Sequence, residues 1–67
     1  MPFKVGDVVR VKGDTTEGAI GRICHYNGIS YCVQWPENHC IRMFDPDLEL
    51  TDGDAPECSP ECAQGLC

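Results

Sequence analysis

Apolar and polar residues alternate with a period of two through most of the first fifty positions. Phe3, Val5, Val9 and Val11 share one parity, with Lys4, Val8, Arg10 and Lys12 on the other. That pattern predicts a strand over about 7–12 with one buried face. A polar loop over 13–18 carries glycine at both ends, a breaker signal. A second strand follows over 19–26, in which Gly21 permits a bend or a close backbone approach. Asn27-Gly28 is a hairpin signal. In the third strand, 29–35, Tyr31, Val33 and Trp35 alternate with Cys32 and Gln34. Pro36-Glu37-Asn38 is a turn, and 39–44 is a fourth strand with Ile41 and Met43 inward. Asp45-Pro46-Asp47 cannot extend a strand comfortably and reads as a single tight turn. Leu48-Glu49-Leu50 is a short closing strand. Five short strands joined by polar turns predict an all-β small barrel.

Register follows from burial. A two-residue turn at Asn27-Gly28 would mix the apolar and polar sets. A three-residue loop pairs Ile23 with Val33 and Cys24 with Cys32, keeping both alternations intact, as does a register shifted by two residues. Val9, Val11, Ile23, Val33 and Trp35 are then expected to be buried together. Residues 51–67 break the pattern. They form a linker followed by a short irregular or single-turn helical tail: Ser59 as N-cap, Pro60 at the first helical position, Glu61 suited to the dipole and Gly65 as the stop. The chain thus divides into a barrel over 1–50 and an acidic, cysteine-rich tail over 51–67.

The first of these segments resembles the SH3-like small barrels of bacterial proteins. The resemblance is carried by Val5-Gly6-Asp7-Val8-Val9-Arg10-Val11, Gly18-Ala19-Ile20-Gly21-Arg22-Ile23, Tyr31-Cys32-Val33-Gln34-Trp35 and Phe44-Asp45-Pro46-Asp47-Leu48-Glu49-Leu50. It implies a five-stranded SH3-like barrel. Such barrels serve as accessory subunits of metalloenzymes, as peptide readers and as parts of nucleic-acid machinery, so the fold selects no single role. There is also a distant resemblance to the type II dihydrofolate reductase, a tetramer of such barrels around a shared pore. Gly6-Asp7 and Ile41-Arg42-Met43-Phe44 align loosely with it. Arg42 stands where the reductase pore strand has glutamine, and Phe44 where it has tyrosine, so most of its ligand-holding polar groups are absent.

Charge and cysteine content change this picture most. The formal charge is -6. Residues 51–67 contribute Asp52, Asp54, Glu57 and Glu61 and no base. Nucleic-acid affinity rests on Lys and Arg neutralising phosphates, and no basic run exists, so nucleic acid is a disfavoured partner. No apolar stretch is long enough to span a bilayer, and the N-terminus lacks an apolar signal core; a cytoplasmic protein is the expectation, with no membrane partner. A domain of 67 residues buries only about 60% of its unfolded surface. A metal, a disulfide or a partner subunit is then an expected aid, and a homo-oligomer is a further option.

Six cysteines in a cytoplasmic chain are expected to be free thiols, metal ligands or transient redox groups. The tail motif Cys58-x3-Cys62-x4-Cys67 supplies three thiolates for zinc or an iron–sulfur cluster, and Cys40 or His39 is the candidate fourth ligand. Cys24 and Cys32 read as apolar fillers or a cross-hairpin pair. His25 shares the parity of Ile23 and reads as partly buried. Tyr31, Trp35 and Phe44 are assigned to the core. Tyr26 has the outward parity and, with Arg22 and Arg42, is a candidate contact for a partner. No catalytic constellation stands out, and an enzyme is the less favoured class. The reading that results is a non-catalytic protein-interaction module or a small accessory subunit of a larger complex. The alternatives are a metal-binding or redox-active thiol protein and an oligomeric reductase with its site at a symmetry axis.

Overall fold

The computed structural model describes residues 3–14 and 19–67; the centre of the first polar loop, 15–18, lies outside them. The chain is mostly β. Strands β1 (Val8–Val11), β2 (Ile20–Tyr26), β3 (Tyr31–Trp35), β4 (His39–Met43) and β5 (Leu48–Leu50) form one antiparallel sheet in the order β4-β3-β2-β1-β5. The sheet is open, with β4 and β5 at its edges. Asp45–Asp47 is a single 3-10 turn between β4 and β5, with Pro46 near its start, where a missing N–H costs nothing. One short helix, α1 (Pro60–Ala63), lies in the tail.

The inner face holds the main core: Phe3, Val9, Ile23, Tyr31, Val33, Trp35 and Leu48, with Tyr26 and Met43 packed at its margin. Gly21 lies on this face opposite Val9. A Cβ there would come within 2.6 Å of Val33 Cγ1 and 2.9 Å of Trp35 Cε3. Its missing side chain is thus what lets the two larger ones lie flat across β2, the close approach expected of it. Val11 departs from expectation. It shares the inner face but, as the last residue of β1, stays 37% exposed. Ile41 does face inward, opposite Val33, yet is 47% exposed on the edge strand β4. Phe44, assigned to the core by parity, follows the last residue of β4 and is also exposed.

Ile23 pairs with Val33 as the alternation requires. Cys24 does not then pair with Cys32. The register shifts between Ile23 and His25, so that His25 faces Cys32 and Tyr26 faces Tyr31. This is a β-bulge: one extra residue on β2 reverses the parity beyond it. Two expectations change in consequence. Tyr26 turns inward and stacks on Tyr31, ring centroids 4.6 Å apart, instead of standing outward. His25 leaves the parity of Ile23 and joins the opposite face with Cys32. The bulge also leaves four residues, 27–30, in the connection, closed by Asn27 Oδ1 accepting from the Ile29 and Ser30 N–H groups at 2.9 and 2.8 Å.

Candidate functional site: a cysteine layer between sheet and tail

The outer face of the sheet is built by a repeated local pattern. Each of β2, β3 and β4 carries a cysteine two residues from an arginine or glutamine: Arg22-x-Cys24, Cys32-x-Gln34 and Cys40-x-Arg42. Residues two apart on a strand point the same way. Arg22 pairs with Gln34 and Gln34 with Cys40, while Cys32 pairs with Arg42. The three strands therefore present one continuous polar and sulfur-rich face.

The tail covers that face. Arg22 donates to the carbonyls of Pro56 (3.2 Å) and Ala55 (3.3 Å). Gln34, buried, accepts from the Ser59 N–H at 3.2 Å and donates to the His39 carbonyl at 3.1 Å. Arg42 donates to the Ser30 hydroxyl at 3.0 Å and to the carbonyls of Gly65 and Cys67 at 3.1 and 3.5 Å. Irregular backbone presents carbonyls that need donors, and these side chains supply them. The helical turn forms as its sequence dictates. The Ser59 hydroxyl accepts from the Cys62 N–H at 3.3 Å, Pro60 starts the helix, and Gly65 ends it at φ +79°. A Cβ at Gly65 would meet His25 Nδ1 at 2.8 Å.

All six cysteines meet in this layer. Cys24 is disulfide-bonded to Cys58 and Cys32 to Cys67. Cys40 and Cys62 are free thiols, half-buried and fully buried respectively. The sulfurs of Cys40, Cys62 and Cys67 lie within 4.8 Å of one another. Burial pushes the Cys62 thiol up to about 12, and the neighbouring Cys40 adds to the shift. At neutral pH, Cys62 is therefore a protonated, shielded thiol rather than a nucleophile.

The candidate ligands named from the sequence separate into two groups. Cys40, Cys62 and Cys67 come together, since the tail folds back onto β4. Cys58 is drawn away by Cys24. His39 lies exposed at the open edge, its Nε2 3.9 Å from a Glu37 carboxylate oxygen. Of the candidate partner contacts, Arg22 and Arg42 are engaged by the tail, and Tyr26 packs on Tyr31, its hydroxyl donating to the Gly28 carbonyl at 3.0 Å. Cys24 and Cys32 are neither fillers nor a cross-hairpin pair, because the bulge separates them in register and each reaches a tail cysteine instead. The even spacing of Cys24, Cys32 and Cys40, eight residues apart, is the signal that would have placed them side by side on neighbouring strands. His25 Nδ1 is buried in the same layer without a hydrogen-bond partner.

Elsewhere, Arg10 is ion-paired with Glu49 at 2.6 Å. Among the described residues no helix is long and apolar enough to cross a membrane. Compared with known proteins, the chain matches no family model, no curated protein and no solved structure.

Proposed function

We propose that this chain is a non-catalytic protein-interaction module or small accessory subunit, an SH3-like small barrel whose partner completes its apolar face. One observation supports this reading above the others. The outer face is occupied by the molecule's own tail, whereas among the described residues nothing covers the rim of the inner apolar face at either edge of the open sheet. Ile41 sits opposite the fully buried Val33 and Leu50 opposite the fully buried Val9, yet they are 47% and 58% exposed. Contiguous exposed apolar surface marks interaction sites, and we read this rim as one. The occupant we assign is a larger protein subunit presenting an apolar segment to this rim.

The test is a photo-crosslinking residue placed at Ile41 or Leu50 in the producing cell, with Glu57 on the tail as control. A single adduct of discrete mass from the rim positions alone, that from Leu50 lost in an Ile41→Asp background, is the expected result. Rim positions that crosslink no better than Glu57 would refute the reading. An adduct of twice the chain mass would identify a homo-oligomer as the complex.

A second reading, a metal-binding or redox-active thiol protein, is favoured by the three sulfurs within 4.8 Å of one another. It bears on the compartment: disulfides persist outside the cytosol, while in the cytoplasm they are transient. In a cytoplasmic setting, then, the tail is held to the sheet by bonds that open and close. The oligomeric-reductase reading gains nothing comparable. Arg42, at the position of the reductase's pore glutamine, is committed to Ser30 and the tail.

A further inference from the structure

The free thiols of Cys40 and Cys62 lie against one end of a disulfide, and this juxtaposition has a chemical consequence. Cys67 Sγ is within 4.8 Å of both, and it is bonded to Cys32 Sγ. Cys32 and Cys40 share the outer face as diagonal neighbours, since Cys32 pairs with Arg42 and Gln34 with Cys40. Opening the one bond would free the Cys32 thiol beside the three grouped sulfurs, bringing thiols from β3, β4, α1 and the end of the tail into one neighbourhood. A tetrahedral zinc thiolate site has Zn–S bonds of about 2.3 Å and hence sulfur–sulfur edges of about 3.8 Å. The three sulfurs already grouped need only small shifts to meet that geometry.

We propose that the reduced protein binds one zinc-type divalent ion through Cys32, Cys40, Cys62 and Cys67, and that the Cys32–Cys67 disulfide is the oxidised, metal-free form of the same site. This deepens the second reading above and leaves the interaction reading independent. Cys24 and Cys58 are bonded to each other and take no part in the site.

The chemistry balances. A dithiol reductant transfers two electrons to the Cys32–Cys67 bond, giving two protein thiols and the reductant's own disulfide. Four thiols then bind the ion and release four protons. In reverse, a disulfide oxidant takes two electrons from the Cys32 and Cys67 thiolates and two protons from solvent and emerges as two thiols. The Cys32–Cys67 bond reforms, the ion leaves, and Cys40 and Cys62 each take up a proton from solvent, so that all four protons are returned. The surroundings suit the loaded state. Four thiolates and a divalent ion carry a net charge of about -2, and the Arg42 guanidinium sits against the Gly65 and Cys67 carbonyls, where it offsets that charge. His25, directly opposite Cys32, has a buried ring nitrogen with no partner and is a ready donor to a sulfur.

The test uses the full chain, reduced without oxygen by a phosphine that is then removed, and titrated with Co2+ and afterwards Zn2+. The expected result is a one-to-one complex with the absorption of tetrahedral thiolate cobalt, bleached by zinc, and four sulfur neighbours by X-ray absorption. Untreated oxidised protein should take up no metal. Cys40→Ser and Cys62→Ser should each weaken binding by more than the about 10–100-fold typical of losing an outer-shell partner. Cys24→Ser should still bind one ion. Cys40 lies on an edge strand, so its variant remains informative if Cys62→Ser fails to fold. Reduced protein that takes no metal overturns the proposal, as does an equal loss in Cys58→Ser and Cys62→Ser. Absence of metal together with rapid formation of a Cys40–Cys62 disulfide would also overturn it, while preserving the redox-active reading.

Discussion

On one face of the sheet, Val9, Ile23, Tyr31, Val33 and Leu48 are shut away from water by side-chain packing alone. On the other, burial is achieved by cysteines, by two disulfides and by arginine and glutamine side chains reaching a segment with little apolar surface of its own. Residues 51–67, taken alone, are too acidic and too poor in large apolar residues to order themselves. They are ordered because sulfur supplies both the apolar contact and the covalent bond. The comparison shows how a chain near the lower size limit obtains a second buried layer without a second set of large side chains. It also separates two kinds of dependence. The inner face depends on shape and volume; the outer face depends on the redox state of its surroundings.

The largest expected effect comes from breaking the inner face. Trp35→Ala should cost about 3–5 kcal/mol, most or all of the stability of so small a domain. Loss of a cooperative thermal transition would be the signature. A variant as stable as the parent would remove Trp35 from the core.

Breaking the outer face covalently should come next. Closing a loop across a sequence separation of 34 residues, Cys24–Cys58 should contribute about 3–4 kcal/mol by loop entropy. The Cys24→Ser, Cys58→Ser double variant should therefore unfold at clearly lower denaturant, with amide exchange rising first in residues 55–67. Exchange rising equally in β1 and β2 would show that the two faces do not open separately.

Gly21→Ala sharpens the role of shape on the inner face. The new methyl would collide with Val33, Trp35 and the Gln34 carbonyl. A cost of about 1–3 kcal/mol is expected, the range for overpacking. A neutral effect in chemical denaturation would mean that β3 yields easily.

Outside both faces the effects are small. Glu37 has φ +65° in the β3–β4 turn, a conformation that disfavours a side chain, so Glu37→Gly should raise stability by up to about 1 kcal/mol. Glu49 is the smallest case. Its hydrogen bond from Arg10 holds the carboxyl below the usual carboxylate range. A depressed folded-state pKa contributes stability above the unfolded value of about 4.3, and that stability is lost as pH falls through the folded value. The difference in melting temperature between the parent and Glu49→Gln should be present at neutral pH and vanish in acid; a difference that persists in acid would detach it from the ion pair.

Much of this sheet was legible from alternation alone. All five strands fall where the period of two puts them, and the Ser59 cap and Gly65 stop are readable because capping is local chemistry. The bulge at Cys24 was not readable, since one inserted residue leaves no trace in composition while reversing the parity of His25 and Tyr26. The exposure of Val11 and Ile41 escaped for a related reason: parity assigns a face but not whether anything lies over it. As for the candidate site, the return of the tail to Cys40 was foreseeable, because thiols cluster. The diversion of Cys58 to Cys24 was not, because pairing depends on which strand the linker crosses first.

The order in which the chain is made gives the disulfide pattern a further meaning. Both crosslinks join a central strand to the last segment. Cys24, Cys32 and Cys40, all on the outer face, precede Cys58, Cys62 and Cys67 in the chain. Until the tail docks, the sheet has to hold its shape by its inner face alone, with those three sulfurs reduced. The bulge then acts as a safeguard. By moving Cys24 out of line with Cys32, it removes the most direct wrong partner within the hairpin and keeps both thiols waiting for the tail.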